Sequence, residues 1–226
     1  MIWITRSSEY RRDQMSMDDT ELAALAGDVL SRESRALSAL VGAVEAGVAQ
    51  VARRVVDTPG KVVTTGSGTS GIMAERLAHL LSVCGTPSVY LPAMDALHGG
   101  IGAVTPSDLV LAISKTGRSS ELTNLTAKFV QRGIDVVAVT ENATSPFAQA
   151  ATVVVALPTT PPDADPGDMI AMASTLAVGA WGDALSVVTM AMRGHTLADV
   201  VESHPAGGVG HRGVQPGDDA APVVRV

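Results

Sequence analysis

Apolar positions between Asp18 and Pro59 recur every three or four residues, apart from one longer step, which is the spacing of one face of an α-helix. They are Leu22, Leu25, Val29, Leu37, Leu40, Val44, Val48, Val51 and Val55. Asp18 followed by Glu21 is typical of a capped helix start, and Pro59-Gly60 is typical of a helix end. The pattern therefore predicts one long amphipathic helix or a helical pair over this stretch.

After this helix the pattern changes to short, valine-rich apolar runs separated by helical stretches. The runs cover residues 61–65, 88–91, 108–114, 135–140 and 152–157, and the helical stretches cover residues 70–82, 120–132 and 145–150. Several runs lack alternation, which is typical of strands buried on both faces. Repeated strand–helix–strand units predict an α/β fold, a three-layer αβα sandwich around a five-stranded parallel sheet of the doubly wound, flavodoxin-like type.

One segment, Met169 to Met192, is almost wholly apolar and long enough to cross a bilayer of ~30 Å. It contains Asp183 and follows the strand–helix pattern, so we expect a buried helix of a soluble protein and no membrane partner. A shorter helix is expected around residues 196–202. We divide the chain into a poorly ordered or helical N-terminal extension (1–17), one domain (18–212) and a C-terminal tail (213–226).

The composition excludes several classes of protein and of site. Apolar residues make up 46% and charged residues 17% of the 226 residues, which excludes intrinsic disorder for most of the chain. The net charge is −7 and no basic stripe is visible, so we expect no nucleic-acid partner. The single cysteine, Cys84, excludes an internal disulfide framework and a cysteine-based zinc site. The N-terminus lacks the apolar core of a secretory signal, so we expect a cytoplasmic protein.

The first motif that can carry chemistry is the loop Gly66-Ser67-Gly68-Thr69-Ser70-Gly71, directly after the first predicted strand. It satisfies G-x-G-x-x-G, but the second strand ends in Tyr90-Leu91-Pro92, without the carboxylate that would bind the ribose of a dinucleotide. No lysine of a P-loop follows. The loop is therefore either a tight strand–helix turn or a binding site for an anion at a helix N-terminus.

A second loop of the same kind runs from Ser114 to Glu121, after the third predicted strand. Its hydroxyls surround Gly117 and are suited to holding a phosphate group; they belong to Ser114, Thr116, Ser119 and Ser120. One of the last two serines could instead be only an N-cap, with Glu121 favoured by the helix dipole. Two such loops at neighbouring strand ends predict a site at the topological switch point of the sheet.

Together with three further motifs, these loops resemble the sugar isomerase (SIS) domain family over roughly residues 30–212, and most resemble its arabinose 5-phosphate isomerases. The further motifs are His98-Gly99-Gly100 with residues 104–108, Gly182-Asp183-Ala184-Leu185, and Ser203-His204-Pro205. The resemblance implies a phosphosugar aldose–ketose isomerase that works through a cis-enediol, with neither cofactor nor metal. It also implies a homotetramer or homodimer with sites at subunit interfaces. The paired CBS modules that often follow the domain in that family are not expected in this chain.

Position by position, the resemblance assigns roles to particular residues. It assigns the phosphate to Ser67, Thr69, Ser114, Thr116 and Ser119, and catalysis to Glu121, His98, His204 and Asp163. Two positions depart from the family pattern, because Thr69 stands where the family's loop has a lysine and Lys115 stands where it has an asparagine.

Aldose–ketose isomerisation itself needs a base, a donor to the developing oxyanion and a remote grip on phosphate, which these residue types supply. The acidic loop with Asp163, Asp165 and Asp168 lacks the spacing of a calcium loop and is expected to be solvated. Two alternatives stay open. Thr69 favours a non-catalytic phosphosugar sensor, whereas Glu121 and the two histidines favour the enzyme. An NAD-dependent oxidoreductase is disfavoured by the missing ribose carboxylate.

Overall fold

The computed structural model describes residues 17–159 and 161–220, apart from the side chains of residues 43–46. Within these residues five strands form one sheet in the order β2-β1-β3-β4-β5, with every neighbouring pair parallel. The strands are β1 (Val62–Gly66), β2 (Ser88–Tyr90), β3 (Leu109–Ile113), β4 (Asp135–Thr140) and β5 (Val153–Ala156). This arrangement confirms the predicted parallel, doubly wound sheet.

The helices agree with the periodic stretches of the sequence, with two additions. They are α1 (Asp19–Asp57), α2 (Thr69–Val83), α3 (Ala93–Leu97), α4 (Ser120–Gln131), α5 (Pro146–Gln149), α6 (Ala173–Arg193), α7 (Leu197–Glu202) and α8 (Gly207–Arg212). Short 3₁₀ turns cover Gly100–Ala103, Pro162–Ala164 and Pro166–Asp168. The sequence pattern did not predict α3 or α8; α8 contains three glycines among its six residues, and glycine is a poor helix former.

Two apolar cores, one on each face of the sheet, explain why the strands lack alternation. On one face α1, α2 and α6 pack around a core that includes Val51, Leu81, Leu111, Trp181 and Leu185. On the other face α3 and α4 cover a core that includes Ala96, Val110, Leu122, Leu125 and Phe129. Since successive residues of one strand point to opposite faces, both sets of strand positions are buried and apolar. The three-layer prediction is thus confirmed.

The capping motif predicted for α1 is present. The Asp18 carboxylate accepts hydrogen bonds from the amides of Thr20 and Glu21, both at 2.8 Å, and the Glu21 carboxylate accepts one from the Asp18 amide at 2.9 Å. This capping box satisfies amides that otherwise lack partners in the first turn. The apolar face that follows is buried only towards its C-terminal half, where Val51 is fully buried, whereas Leu25 is 52% exposed.

Helix α6 begins at Ala173 rather than at Met169, because the preceding residues form a 3₁₀ turn in which Gly167 has a φ of 63°. By length and hydropathy α6 could cross a membrane, and 44% of its most apolar window is buried inside the fold. Its largest side chain, Trp181, is fully buried against the sheet core. These contacts are those of a helix packed in a protein core, as predicted.

The divisions at the two ends of the chain are not tested. Residues 1–16 of the predicted N-terminal extension and residues 221–226 of the predicted tail lie outside the described residues.

Candidate active site

The two glycine- and hydroxyl-rich loops lie side by side at the carboxyl edge of the sheet. Strands β1 and β3 pair in register, with Gly66 opposite Ile113, so Ser67 and Ser114 leave the sheet as neighbours. The strand order reverses at this point, because β2 lies on one side of β1 and β3 on the other. Ligands of doubly wound sheets bind at such a switch point, so the predicted meeting of the two loops is confirmed.

In the loop after β1, the backbone at Gly66 passes close to the backbone at Ser70. A Cβ placed on Gly66 would lie 2.7 Å from the carbonyl oxygen of Ser70, so only glycine fits there. Gly68, at the N-cap of α2, has a φ of 57° and carries no side chain that could cap the helix. Ser67 and Ser70 are half-buried and Thr69 is exposed. The amides of the first turn of α2 are thus left without a side-chain cap, which suits a bound anion.

The loop after β3 is hydrogen-bonded to the neighbouring strand at its buried start and is exposed to solvent further along. Ser114 is buried, and its amide donates to the carbonyl oxygen of Val139 at 3.0 Å. The hydroxyl of Thr116 accepts a hydrogen bond from the Arg118 amide at 3.3 Å, while Ser119 is at the N-cap of α4 without a side-chain capping bond. Since a serine at this position usually caps, its free hydroxyl is compatible with the predicted phosphate role.

The predicted catalytic residues are spread over several elements. Glu121 lies half-buried in the first turn of α4, and His98 is exposed at the C-cap of α3, which packs against α4. Neither side chain has a hydrogen-bond partner within residues 17–159 and 161–220. The described contacts therefore do not join His98 and Glu121 directly.

His204 follows α7, in a segment that begins at the edge of the sheet opposite the two loops. Helix α6 runs from the carboxyl edge to Arg193, whose guanidinium donates to Thr86 Oγ1 at 3.2 Å and to the carbonyl oxygen of Val55 at 3.0 Å. Thr86 precedes β2 and Val55 precedes β1, so this contact lies at the amino edge of the sheet, where the segment that carries His204 begins. Within one chain, His204 is thus attached far from Ser114.

The imidazole of His204 is oriented by its own helix. Its Nδ1 lies 2.6 Å from the carbonyl oxygen of Val200, and a carbonyl oxygen only accepts hydrogen bonds. Nδ1 therefore carries the proton of the neutral ring, and Nε2 keeps its lone pair for another partner. This is the tautomer that a general base needs.

Asp163 is paired with α1. Its carboxylate accepts a hydrogen bond from Arg32 of α1 at 2.7 Å and is 62% exposed. The neighbouring Asp165, which we expected to be solvated with the rest of its loop, is instead 1% exposed. That expectation is wrong for Asp165, because a helix start and a lysine neutralise its charge.

These partners of Asp165 belong to a pocket that the sequence analysis did not predict. Lys115 Nζ lies 2.8 Å from Asp165 Oδ2 and 2.7 Å from Asp168 Oδ1. Asp165 Oδ1 also accepts from the amides of Met172 (2.8 Å) and Ser174 (3.1 Å) at the start of α6. We define the Lys115 pocket by Lys115 and the side chains that line it with Lys115, among them Thr69, Ser70, Glu141, Ser174 and Thr175.

Charges in the Lys115 pocket shift the pKa values of its groups. Burial alone would lower the pKa of Lys115, but hydrogen bonds to Asp165 and Asp168 outweigh it and raise that pKa. Burial raises the pKa of Glu141, although Thr159 donates a hydrogen bond to it and Lys115 is nearby. For Asp165 burial is opposed by Lys115 and Ser174, and its pKa falls below the usual value. Lys115 is therefore charged, and Asp165 is a carboxylate.

Comparison with known proteins agrees with this geometry. Residues 57–187 match the SIS domain family. The arabinose 5-phosphate isomerase KdsD of Shigella flexneri is 37% identical over 153 residues, which cover 68% of this chain and 46% of that protein. The arabinose 5-phosphate isomerase KpsF of Escherichia coli is 30% identical over 201 residues, which cover 88% of this chain and 61% of that protein. The chain thus spans about half the length of the curated relatives it matches.

A solved structure is similar over most of the chain. A protein of Escherichia coli CFT073, determined in complex with arabinose 5-phosphate, superposes with a TM-score of 0.79 at 28% identity, covering 84% of this chain and 100% of that one.

Proposed function

The chain belongs to the SIS domain family, and from this premise we propose that it is a phosphosugar aldose–ketose isomerase of the arabinose 5-phosphate isomerase kind. The observation that carries the proposal is the junction of the two loops at the switch point, with Glu121 in the first turn of the helix that follows the second loop. Relatives named arabinose 5-phosphate isomerase are 30% to 37% identical to this chain over the parts that align. We therefore take a pentose phosphate as the substrate.

The phosphate group of the substrate is bound by the two loops. Hydroxyls of Ser114, Thr116 and Ser119, together with Ser67 and Thr69, lie on segments that leave adjacent strands. The uncapped N-termini of α2 and α4 add amide donors and a favourable helix dipole. Binding energy from this remote group orients the carbons that react.

The reaction moves one proton between two carbons. Starting from the ketose, Glu121 removes a proton from C1, the electron pair of that C–H bond forms the C1=C2 double bond, and O2 takes up a proton. The resulting cis-enediol then receives a proton at C2 while the hydroxyl on O1 loses its proton, which leaves the aldehyde at C1. A histidine donating to the developing oxyanion completes the requirements. We assign this donor to His98, and we assign to His204, whose Nε2 carries no proton, the removal of the proton from the hydroxyl on O1. We keep Asp163 as a candidate whose carboxylate would first have to leave Arg32.

We propose further that the active site is completed between copies of the chain, in a homodimer or homotetramer. His204 is attached at the edge of the sheet opposite the two loops, so another copy is needed to bring it near Glu121. Apolar side chains on α1 and α6 support such an assembly, since Leu25, Leu30 and Val41 of α1 and Met192 of α6 are each at least 46% exposed. Exposed apolar faces of this kind are covered in oligomers.

We also propose that the isomerase is a soluble, cytoplasmic protein. The packing of α6 inside the fold supports the solubility, because many of its apolar side chains are used in the protein core.

Proton exchange in heavy water tests the proposed reaction. Incubation of the protein with ribulose 5-phosphate and with a panel of pentose, hexose and heptose phosphates should incorporate deuterium at C1 or C2 of the substrate, and only of the substrate. Absence of exchange with every sugar phosphate, alongside micromolar binding of one of them, would favour the non-catalytic sensor instead.

A further inference from the structure

The Lys115 pocket has the features of an anion site that carboxylates of the chain itself occupy. The first residues of two long helices line it, Thr69 and Ser70 of α2 and Ser174 and Thr175 of α6. Lys115 is the cation among its lining residues. Helix N-termini and a lysine are groups that bind phosphate in many proteins. In this structure the partners of the lysine are instead Asp165 and Asp168.

A buried hydroxyl gives an independent indication that a ligand belongs there. Ser174 is 5% exposed and lines the pocket, and its Oγ makes no hydrogen bond of normal geometry in the described part of the chain, although it lies close enough to the Asp165 carboxylate to help lower the pKa of that group. An unpartnered buried hydroxyl costs free energy. A bound oxyanion would accept this hydrogen bond.

The two aspartates that hold Lys115 differ in how firmly they are held. Asp165 is buried and accepts two amide hydrogen bonds besides its contact with the lysine. Asp168 is 80% exposed, and its φ of 55° lies in the left-handed region that residues other than glycine rarely adopt. An exposed ion pair contributes little to stability, so the contact between Lys115 and Asp168 is easily exchanged.

Resting on the proposed function, we propose that Lys115 binds the phosphate dianion of the substrate and that Asp168 holds this position until the ligand arrives. The exchange keeps the ammonium paired, while the Lys115–Asp165 contact keeps the lysine in place. The pocket as it stands admits about one water molecule, and a phosphate group does not fit beside Asp168. Residues 161–172, which carry Asp168, therefore move away from the pocket when the ligand binds.

Calorimetric titration with D-arabinose 5-phosphate, and with unphosphorylated D-arabinose as the comparison ligand, tests this role. Lys115→Met should weaken binding of arabinose 5-phosphate roughly 10- to 100-fold and leave the response to arabinose unchanged. The matched control is Lys128→Met, which removes the same charge from an exposed position on α4 and should bind as the wild type does. Unchanged affinity of a folded Lys115→Met variant would overturn the proposal.

A second variant leaves the buried Lys115–Asp165 ion pair intact. It tests the role of Lys115 even if Lys115→Met fails to fold. Asp168→Asn removes the carboxylate that competes for the lysine, so it should strengthen binding of arabinose 5-phosphate about 2- to 5-fold. In a double variant with Lys115→Met this gain should disappear, because the competition requires the lysine. Unchanged or weakened affinity of Asp168→Asn alone would also overturn the proposal.

The outcomes separate this inference from the proposed function. Binding of arabinose 5-phosphate without turnover would end the isomerase assignment, while the ratios among the variants would still decide the role of Lys115. Turnover by the wild type with equal affinity in all variants would leave the isomerase standing and remove Lys115 from the phosphate site. If the wild type binds neither arabinose 5-phosphate nor inorganic phosphate, both proposals are overturned.

Discussion

Glu121 illustrates, at the scale of one residue, how a catalytic and a structural role can share one position. A carboxylate in the first turn of α4 interacts favourably with the helix dipole, whatever its part in catalysis. It also lies directly after the loop to which we assign the phosphate. The two roles are separable because one acts on the transition state and the other on the folded state.

Glu121→Gln keeps the size of the side chain and removes the base. We expect kcat to fall roughly 10²- to 10⁴-fold with little change in ligand affinity, the range typical for loss of a positioned base. Turnover and melting temperature are to be measured on the same preparation, with Glu75→Gln, an exposed carboxylate on α2, as the control. Normal kcat with a lowered melting temperature would show that Glu121 only supports the start of the helix.

At the scale of elements, the loop after β3 is held by the segment that precedes α5. Gly117 has a φ of 65°, and a Cβ placed on it would collide with the side chain of Ser145. Ser145 is itself the N-cap of α5, and its hydroxyl accepts a hydrogen bond from the Ala148 amide at 3.2 Å. The shape of the predicted phosphate loop therefore depends on the loop after the neighbouring strand.

Gly117→Ala should lower the free energy of unfolding by at least the roughly 1–2 kcal/mol that a left-handed conformation costs other residues, and it should weaken phosphosugar binding. Combining it with Ser145→Gly removes the collision but not the conformational cost, so stability should be restored in part. Urea denaturation of the two single variants and the double variant measures this. A Gly117→Ala variant as stable as the wild type would contradict the described loop.

The starts of β1 and β3 are joined by one buried carboxylate at the amino edge of the sheet. Asp108 accepts hydrogen bonds from the Lys61 amide and ammonium, both at 2.9 Å, and from the Thr105 amide at 2.7 Å. Burial alone would raise the pKa of Asp108, but these hydrogen bonds outweigh it and lower the pKa to about 2. The carboxylate therefore stabilises the fold only while it is ionised.

The pH dependence of stability follows from this lowered pKa. Since the unfolded chain binds the proton more tightly, Asp108 contributes its full stabilisation above the unfolded pKa of 3.8 and loses it as the pH falls towards 2. Asp108→Asn should lower the free energy of unfolding by about 2 kcal/mol at pH 6 and by much less at pH 2.5. Urea denaturation at both values tests this, with exposed Asp57→Asn as the control. An equal loss at both pH values would show that the proton linkage is not the cause.

At the scale of the whole molecule, the proposed role of His204, which is attached away from the two loops, requires that the chain assemble into an oligomer. Sedimentation at micromolar concentration should show a dimer or tetramer and no free monomer. A monomer that retains full activity would contradict a site built from two copies.

Mixing two inactive variants tests whether copies share the site. Glu121→Gln and His204→Asn should each be inactive alone, whereas random pairing of equal amounts should restore about a quarter of the wild-type activity, because half of the pairs contain one complete site. Subunits are to be mixed after partial denaturation and refolding, with each variant refolded alone as the control. If the mixture stays inactive although mixed oligomers form, each site lies within one chain.

Most helices and strands, and the meeting of the two loops, could be predicted from the sequence alone. Strands buried on both faces are continuous apolar runs, and the capping box at Asp18 and the loops after β1 and β3 are short-range patterns. All of these depend on residues close together in the chain, so they can be predicted without knowing the fold. Parallel connectivity then brings the ends of β1 and β3 to one edge, which is why the meeting of the two loops could also be predicted.

The pairing of side chains around the two loops could not be predicted from the sequence. Lys115 meets Asp165 and Asp168 across some fifty residues of chain, and Asp163, two positions from Asp165, binds Arg32 of α1 instead. No local pattern distinguishes these aspartates, because their partners come from elements that are distant in sequence. The burial of Asp165 and the attachment of His204 at the far edge follow from how α6 packs along the sheet, which periodicity does not specify.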